Sequence, residues 1–345
     1  MRIVVCEAQV PFIRGGAEAL SRELVRELSD RTFDTELISL PFKWYPQEEV
    51  LTHAAMWRLA DLSESTGQPI DLLIATKFPS YFARHPRKVV WLVHQHRAAC
   101  ELVDTPYSDF GHHEFDVALR DRLIALDHQM LGECRAIYTI SANISSRLKR
   151  FNGLDSTPLY HPPRLASRLK AGDAGDYVLS VGRLETVKRV DLAIRAMQHV
   201  SPGLSLVIAG TGTHAAALRT LADSLGIASR VRFLGEVSSD DLINLYAGAL
   251  AVVFPPFDED YGYVTLEGFA ADRPVVTLTD SGGPLEFVAD GDTGLVAGPE
   301  PKAIADAFDR LFLDRDLAAR LGAAGNALVR TEVPRWPDVV ARLLD

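Results

Sequence analysis

Short apolar runs alternate with segments of helical periodicity along almost the whole chain, and this alternation constrains the fold more than any other feature. In the first half, five apolar runs predict strands over residues 2–7, 34–40, 71–75, 88–93 and 135–140. Residues 17–30 and a segment that begins at Asn143 predict helices. Because continuous apolar strands are typical of a parallel sheet buried on both faces, the alternation indicates βαβ units.

A second alternating series follows a stretch rich in Pro, Gly and charge at residues 161–175, which predicts an interdomain linker. Its apolar runs predict strands over residues 177–181, 204–209, 230–234, 250–254, 274–278 and 294–296. Its helical segments cover residues 187–200, 214–225, 240–247, 264–271 and 301–313, and a final helix covers residues 336–344.

The length of 345 residues suits two domains, at roughly 100–200 residues per domain. We expect an N-terminal Rossmann-like domain at residues 1–165 and a C-terminal one at residues 166–333. The sequence leaves the partner of the segment 334–345 open, and packing back on the N-terminal domain is one arrangement. Since doubly wound parallel sheets bind ligands outside the carboxyl ends of their strands, we expect the site in a cleft between the two domains.

Charge and cysteine content exclude several classes of protein. The formal net charge is −10, which argues against a nucleic-acid partner. Two short basic clusters at residues 84–88 and 147–150 are interpreted as solvated surface, with weak docking to an anionic inner membrane surface as the alternative. Three scattered cysteines without a Cys-x-x-Cys pair suit a reducing compartment. The first apolar run has no cleavage site, and no run approaches ~18 apolar residues. We therefore expect a cytoplasmic protein.

The stretch PPFDEDYGYVTLEG, residues 255–268, combines a glycine with two glutamates between a predicted strand and a predicted helix. Gly262 at the helix start lets backbone approach a ligand, and the amides of Tyr263 and Val264 can then face an anion. Glu267 can accept both hydrogen bonds of a ribose diol. The alternative without a ligand is that Glu259 complements the helix dipole and that Glu267 is a surface charge.

A second stretch, GRLETVKRVD, follows the first strand of the second series. Arg183 stands at the carboxyl end of that strand, and Lys188 lies close to the next predicted helix. A diphosphate is bound by such fixed cations, since the guanidinium binds two oxygens and the ammonium acts as a point charge. The alternative is a pair of solvated charges.

Glycine pairs and histidines mark further candidates at strand ends. Ser281-Gly282-Gly283-Pro284 predicts a tight turn, and Gly15-Gly16 can bring backbone close to a ligand. His94 and His96 directly follow the predicted strand at residues 88–93 and can hydrogen-bond a sugar hydroxyl, although a lone histidine is more often structural.

Two other motifs suggest different chemistry. Residues 210–215, GTGTHA, fit a dinucleotide-binding pattern, but they follow the second strand of their series rather than the first. The triplet Asp258-Glu259-Asp260 resembles an Asp-x-Asp metal motif, yet the sequence supplies no partner ligands.

Taken together, these motifs resemble those of the retaining glycosyltransferases of family 4, which have the GT-B fold. The resemblance covers residues 176–296 and, more loosely, residues 1–150. Its most specific element is the family's Glu-x7-Glu motif, matched by Glu259 and Glu267. The segments GRLETVK, IAGTG and RFLGEV match further family elements.

The resemblance implies a role for each matching residue. Arg183 and Lys188 hold the donor diphosphate, Glu267 takes the ribose hydroxyls, and Glu259 faces the transferred sugar. The remaining donor contacts are backbone positions: Gly262, Tyr263 and Val264 at the distal phosphate or sugar, Gly235 to Val237 at the base, and Gly15 and Gly16 at the diphosphate. His94 matches the family's catalytic histidine, with His96 as the alternative.

The expected activity is therefore transfer of a sugar, typically a hexose, from a UDP- or GDP-type donor to an acceptor hydroxyl of a carbohydrate or glycoconjugate. The resemblance implies retention of anomeric configuration without a metal or other cofactor. Asp260 and Tyr261 depart from the family's usual Gly-Phe and leave donor identity open. The alternatives are a sugar-nucleotide epimerase of similar layout, a non-catalytic nucleotide-sugar binder and, last, a dinucleotide oxidoreductase.

Overall fold

The computed structural model describes residues 1–13 and 15–345 and divides them into two compact units. Unit 1 comprises Met1–His161 together with Arg335–Asp345, and unit 2 comprises Pro162–Pro334. The stretch that we predicted to be a linker lies almost entirely in unit 2, and its residues Leu165 and Leu169 are buried.

Unit 1 is built on a six-stranded parallel sheet. The strands of this sheet are β1 (Arg2–Gln9), β2 (Asp34–Pro41), β5 (Leu72–Ala75), β6 (Lys88–Leu92), β7 (Ala136–Thr139) and β8 (Thr157–Pro158). Two further strands, β3 (Glu64–Ser65) and β4 (Gln68–Pro69), form a separate short hairpin. The order across the sheet is β2-β1-β5-β6-β7-β8, so the winding reverses between β1 and β5. Its helices are α1 (Gly16–Ser29), α2 (Glu49–Leu59), α3 (Glu114–Gly132) and α4 (Ala142–Asn152).

Unit 2 repeats this architecture with another parallel sheet. Its strands are β9 (Tyr177–Val181), β10 (Ser205–Ala209), β11 (Val231–Gly235), β12 (Ala251–Val253), β13 (Val275–Leu278) and β14 (Gly294–Ala297). The order is β11-β10-β9-β12-β13-β14, which places the switch point between β9 and β12. Its helices are α5 (Val190–Ala196), α6 (Ala215–Ser224), α7 (Ser239–Gly248), α8 (Tyr263–Ala270), α9 (Pro301–Leu313) and α10 (Arg315–Glu332). Ligand sites of doubly wound sheets lie at such switch points.

The last helix, α11 (Trp336–Leu344), belongs to unit 1 although it follows all of unit 2 in the chain. The Trp336 ring lies 6.1 Å from the ring of Trp91 on β6 and 6.0 Å from the His161 ring. Arg135 donates a hydrogen bond to the backbone carbonyl of Asp345. An aromatic cluster thus holds the end of the chain on the N-terminal sheet.

One predicted helix is wrong at its start. We predicted a helix over residues 187–200, but Thr186–Lys188 form a short 3-10 turn and α5 begins only at Val190. Arg189 between them has φ +49° and ψ +36°, a left-handed conformation that interrupts a right-handed helix. The interruption matters because Lys188 lies in the turn rather than on a helix.

Candidate active site

Three loops leave neighbouring strands at the switch point of unit 2. We call them the β9 loop (residues 182–189), the β12 loop (residues 254–262) and the β13 loop (residues 279–283). Each follows the carboxyl end of its strand, and β12 lies between β9 and β13 in the sheet. Three stretches that the sequence predicted separately are therefore neighbours.

Backbone hydrogen bonds join the three loops. The Phe257 N–H donates to the Val187 carbonyl oxygen at 2.8 Å, which ties the β12 loop to the β9 loop. The Glu259 N–H donates to the Ser281 carbonyl at 2.8 Å, and the Gly283 N–H donates to the Glu259 carbonyl at 2.8 Å. Glu259 is thus fixed on both sides of its backbone by the β13 loop.

Lys188 and Glu259, which the sequence placed in one site, form a direct ion pair between Nζ and Oε2. Their side chains are only 17% and 14% exposed, so the pair is largely shielded from solvent. The Lys188 ammonium also lies 5.6 Å from the centre of the Phe254 ring. An incoming diphosphate would compete with Glu259 for this ammonium, because both are anions.

Arg183 provides a second cation at the same strand end. Its side chain is exposed, and it forms no ion pair with any residue of 1–13 or 15–345. A guanidinium in this state is available to bind two oxygens of a phosphate group.

The start of α8 adds backbone donors. Gly262 precedes the helix with φ +85°, and a Cβ there would lie 2.9 Å from Cγ of Pro284 and 3.1 Å from the Phe254 ring. Both the conformation and the close packing therefore favour glycine. Tyr263 and Val264 occupy the first turn, where the helix dipole favours an anion.

Glu267 lies on the same helix, and its carboxylate accepts a hydrogen bond of 2.8 Å from the Tyr246 hydroxyl. Tyr246, on α7, is fully buried. Burial raises the pKa of Glu267 to about 7, although the Tyr246 hydroxyl and the positive charge of Arg164 act in the opposite direction. The carboxyl group thus titrates near neutral pH. The bland interpretation of Glu267 as a surface charge is therefore inconsistent with the structure.

The β10 end of the sheet explains the glycines that resembled a dinucleotide motif. A Cβ on Gly210 would lie 1.9 Å from the Gly182 carbonyl oxygen, so these glycines let two strand-end loops touch. The Gly210 N–H donates to the Gly235 carbonyl at 2.7 Å, which places Gly235 at the same edge, while Val237 follows half-buried. The glycine pattern is accounted for by packing between loops.

In unit 1, Gly15 and Gly16 stand at the start of α1, as expected from the sequence. The Gly15 N–H donates to Oε2 of Glu18 at 2.8 Å, so this amide is not open to a ligand in this conformation. Oε1 of Glu18 accepts a hydrogen bond from Lys77, and both side chains are buried. Burial raises the pKa of Glu18, but the charge and hydrogen bond of Lys77 outweigh it, and the pKa lies below its ordinary value. Arg14 lies outside the described residues.

The two histidines after β6 have different surroundings. His94 is half-buried, and its Nδ1 lies 2.7 Å from the Gln95 carbonyl oxygen. The His96 ring packs among Phe42, Phe78 and Phe110, and its buried Nε2 has no hydrogen-bond partner within residues 1–13 and 15–345. Burial, followed by the nearby His94, lowers the pKa of His96 to about 4. The assignment of His94 rather than His96 remains a prediction.

Across residues 1–13 and 15–345, no three His, Cys, Asp or Glu side chains are grouped so that they could hold a metal ion. In the same residues, no helix has both the length and the apolar character that a membrane span requires.

Sequence reasoning missed two residues of this region. Arg189 is buried beneath the three loops, and Tyr246 holds Glu267 from another helix. Arg189 stands in the stretch GRLETVKRVD but was given no role, and Tyr246 belongs to no recognisable motif. The contacts of both join residues that are distant in sequence. An arginine directly after Lys188 was visible, but its left-handed backbone was not.

A family model described as "Glycosyl transferases group 1" matches residues 166–327. The matched segment is similar to a group 1 glycosyltransferase domain. The resemblance to family 4 glycosyltransferases, drawn from motifs in this segment, is confirmed. This domain contains the three loops, Glu267 and Tyr246.

Two curated relatives match a similar portion of the chain. A "GDP-mannose-dependent alpha-(1-6)-phosphatidylinositol monomannoside mannosyltransferase" of Mycobacterium tuberculosis (strain CDC 1551 / Oshkosh) is 36% identical over 179 residues, covering 49% of this chain and 46% of the relative. A "D-inositol 3-phosphate glycosyltransferase" of Mycobacterium bovis (strain BCG / Pasteur 1173P2) is 38% identical over 168 residues, covering 46% and 35%. The chain thus spans less than half the length of either relative.

Solved structures show the same fold over the whole chain. Sucrose-phosphate synthase from Thermosynechococcus elongatus has a TM-score of 0.78 at 18% identity, covering 99% of this chain and 97% of that one. The Anabaena protein HepE, solved in complex with UDP-glucose, has a TM-score of 0.73 at 16% identity, covering 100% and 98%. Two Rossmann-like units, of which unit 2 contains the group 1 match, constitute the expected GT-B fold.

Proposed function

We propose that this chain is a retaining glycosyltransferase that transfers a hexose from a UDP- or GDP-type donor to an acceptor hydroxyl. The observation that carries the proposal is the junction of the three loops, where the Lys188–Glu259 pair lies at the switch point of the group 1 domain. The relatives support both donor types, since one is named GDP-mannose-dependent and a fold neighbour was solved with UDP-glucose.

Donor binding is proposed to rearrange the ion pair. Arg183 and the Lys188 ammonium bind the diphosphate, and the first amides of α8 face its distal phosphate. Glu259, released from Lys188, then accepts hydrogen bonds from hydroxyls of the transferred sugar. Glu267 accepts from the ribose diol, and the segment from Gly235 to Val237 borders the base.

The same groups would promote the reaction. Negative charge develops on the departing diphosphate as the bond to the sugar breaks, and two fixed cations stabilise that charge where it forms. In a front-face mechanism the departing phosphate oxygen accepts the proton of the acceptor hydroxyl, which leaves the anomeric configuration unchanged. The cations on this surface supply the countercharge, so we propose that no metal or other cofactor is required.

The proposal extends to the acceptor and to the cellular location. By analogy with the names of the relatives, we propose a hydroxyl of a carbohydrate, polyol or glycoconjugate as acceptor. We also propose a cytoplasmic enzyme; its three cysteines are free, as suits a reducing compartment. The contributions of Gly15, Gly16 and His94 in unit 1, and a weak contact with an anionic membrane surface, stay predictions.

Substitution of Lys188 tests the proposal. We expect wild-type protein to release nucleotide from UDP-glucose or GDP-mannose in the presence of a panel of polyol and glycoside acceptors. Lys188→Ala should reduce that release by about 100-fold or more, because it removes a cation from the leaving group. Lys170→Ala is the matched control, since Lys170 is exposed in the same unit and makes none of the site's contacts.

Three outcomes would contradict the proposal. Wild-type turnover by a folded Lys188→Ala variant would remove the role of the cation. Conversion of the donor sugar without nucleotide release would identify an epimerase. Binding of nucleotide sugars without transfer to any acceptor of the panel would favour a binding protein.

A further inference from the structure

Arg189 combines an unfavourable backbone with an extensively bonded side chain. Its φ of +49° is in the left-handed region, which residues with a Cβ adopt at a cost in free energy. The guanidinium nevertheless lies buried under the candidate active site. A strained residue at a functional site persists only where its surroundings compensate for the strain.

Four hydrogen bonds provide that compensation. Nε donates to the Pro255 carbonyl at 2.9 Å, and Nη2 donates to the Pro256 carbonyl at 2.8 Å. Nη1 and Nη2 donate to the two carboxylate oxygens of Asp280 at 2.8 and 2.5 Å. The guanidinium also lies 5.5 Å from the centre of the Phe257 ring.

These partners belong to the same three loops that form the site. Arg189 is in the β9 loop, the two prolines are in the β12 loop, and Asp280 is in the β13 loop. Arg189 directly follows Lys188, whereas Pro256 lies three residues before Glu259. One buried side chain therefore fixes the relative position of the loops that carry the ion pair.

We propose that Arg189 is a positioning residue for sugar transfer, which holds Lys188 and Glu259 in the geometry that receives the donor diphosphate. The inference rests on the proposed function, because it concerns the efficiency of the same site. Arg189 itself contacts other residues of the protein and acts through them. A lysine could not replace it, because a single ammonium lacks the planar fork that reaches two carbonyls and a carboxylate together.

The test compares Arg189→Gly, Arg189→Lys and the control Arg195→Ala in the full chain. Glycine suits the left-handed backbone, so Arg189→Gly removes the side chain without adding backbone strain. Arg195 is a solvent-exposed arginine on α5, whose nearest carboxylate oxygen, on Asp191, is 3.8 Å away. Each variant is assayed for kcat and donor KM with UDP-glucose or GDP-mannose, whichever the wild type uses, and for thermal unfolding.

We expect Arg189→Gly and Arg189→Lys to lower kcat by about 100-fold with a smaller change in donor KM, since misplacement of catalytic groups by about 1 Å costs that much. Millimolar guanidinium chloride should restore part of the kcat of Arg189→Gly, because it can reoccupy the carbonyl and carboxylate partners. It should not restore Lys188→Ala. If Arg189 only stabilised the fold, its substitution would lower the melting temperature. Guanidinium chloride would then not restore kcat, and kcat would not fall more than donor KM changes.

The outcomes separate the two proposals. A wild-type enzyme that transfers no sugar would refute the proposed function. An active wild type together with folded Arg189→Gly or Arg189→Lys variants of unchanged kcat would refute only the role of Arg189. If Arg189→Gly unfolds, Arg189→Lys decides: a folded enzyme with reduced kcat supports positioning, and one with wild-type kcat overturns it.

Discussion

Removal of one hydroxyl, in Tyr246→Phe, should change how the protein responds to pH. The Tyr246 hydroxyl donates to the Glu267 carboxylate at 2.8 Å from a fully buried position. It therefore stabilises the ionised form of a carboxyl group whose pKa burial has raised to about 7. In the proposed site, the ionised form accepts hydrogen bonds from the ribose diol much more strongly than the protonated form does, because both of its oxygens share the negative charge.

The expected magnitude follows from the strength of that bond. A hydrogen bond to a charged group contributes about 1.5–3 kcal/mol, which corresponds to about 1–2 pKa units at 1.36 kcal/mol per unit. Tyr246→Phe should therefore raise the pKa of Glu267 from about 7 to about 8–9. At pH 7 the ionised fraction would fall from about one half to about 1–10%, so donor affinity should fall about 5- to 50-fold.

The assay is calorimetric titration of the variant and the wild type with donor between pH 6 and 9.5. Affinity in the wild type should be lost as pH falls through about 7, and in Tyr246→Phe this loss should begin at higher pH. Tyr177→Phe is the matched control, because the Tyr177 hydroxyl donates to the Leu245 carbonyl at 2.7 Å instead of to a carboxylate. If donor affinity in Tyr246→Phe were lost at the same pH as in wild type, this account of Glu267 would be refuted.

Two further predictions concern stability. Burial raises the pKa of Asp127 to about 7, so the folded state binds its proton more tightly than the unfolded state, and stability falls as pH rises from about 4 to 7. Asp127→Asn should therefore have a higher melting temperature than wild type at pH 8 and an equal one at pH 4. Equal melting temperatures at pH 8 would contradict this prediction. Gly210→Ala should lower the free energy of unfolding by about 3 kcal/mol or more, because its Cβ would clash with the Gly182 carbonyl oxygen. The control, Gly226→Ala, has φ +70° with open space around it and should cost only about 1 kcal/mol in chemical denaturation; equal losses in the two variants would rule out the clash.

The strands of both sheets, except the two-residue β8, were predictable from apolar runs bounded by polar residues. Every strand of unit 2 lies within two residues of its predicted bounds. Most of the helix α3 and the whole of α10 were not predicted. Both helices carry charged residues among their apolar ones, and their buried faces become clear only with the neighbouring helices, α4 for α3 and α8 and α9 for α10.

The candidate donor residues of unit 2 could be proposed as a set, because they lie in segments that follow strand ends and match family motifs. The structure adds what these residues contact. The pairing of Lys188 with Glu259 depends on a sheet order that brings β9 and β12 together, which the chain order does not reveal. The hydrogen bond from Tyr246 to Glu267 joins two helices, and no local pattern encodes it.

The return of α11 to unit 1 has a consequence for how this protein matures. Residues 162–334 are, in effect, a domain inserted within another, so the N-terminal sheet lacks its last helix until the inserted domain has been synthesised. During translation, the surface around Trp91 stays uncovered while the second domain emerges and folds, because Trp336 and the rest of α11 are synthesised last. A ribosome stalled before residue 335 would thus present an N-terminal domain with an uncovered aromatic face, a natural substrate for chaperones.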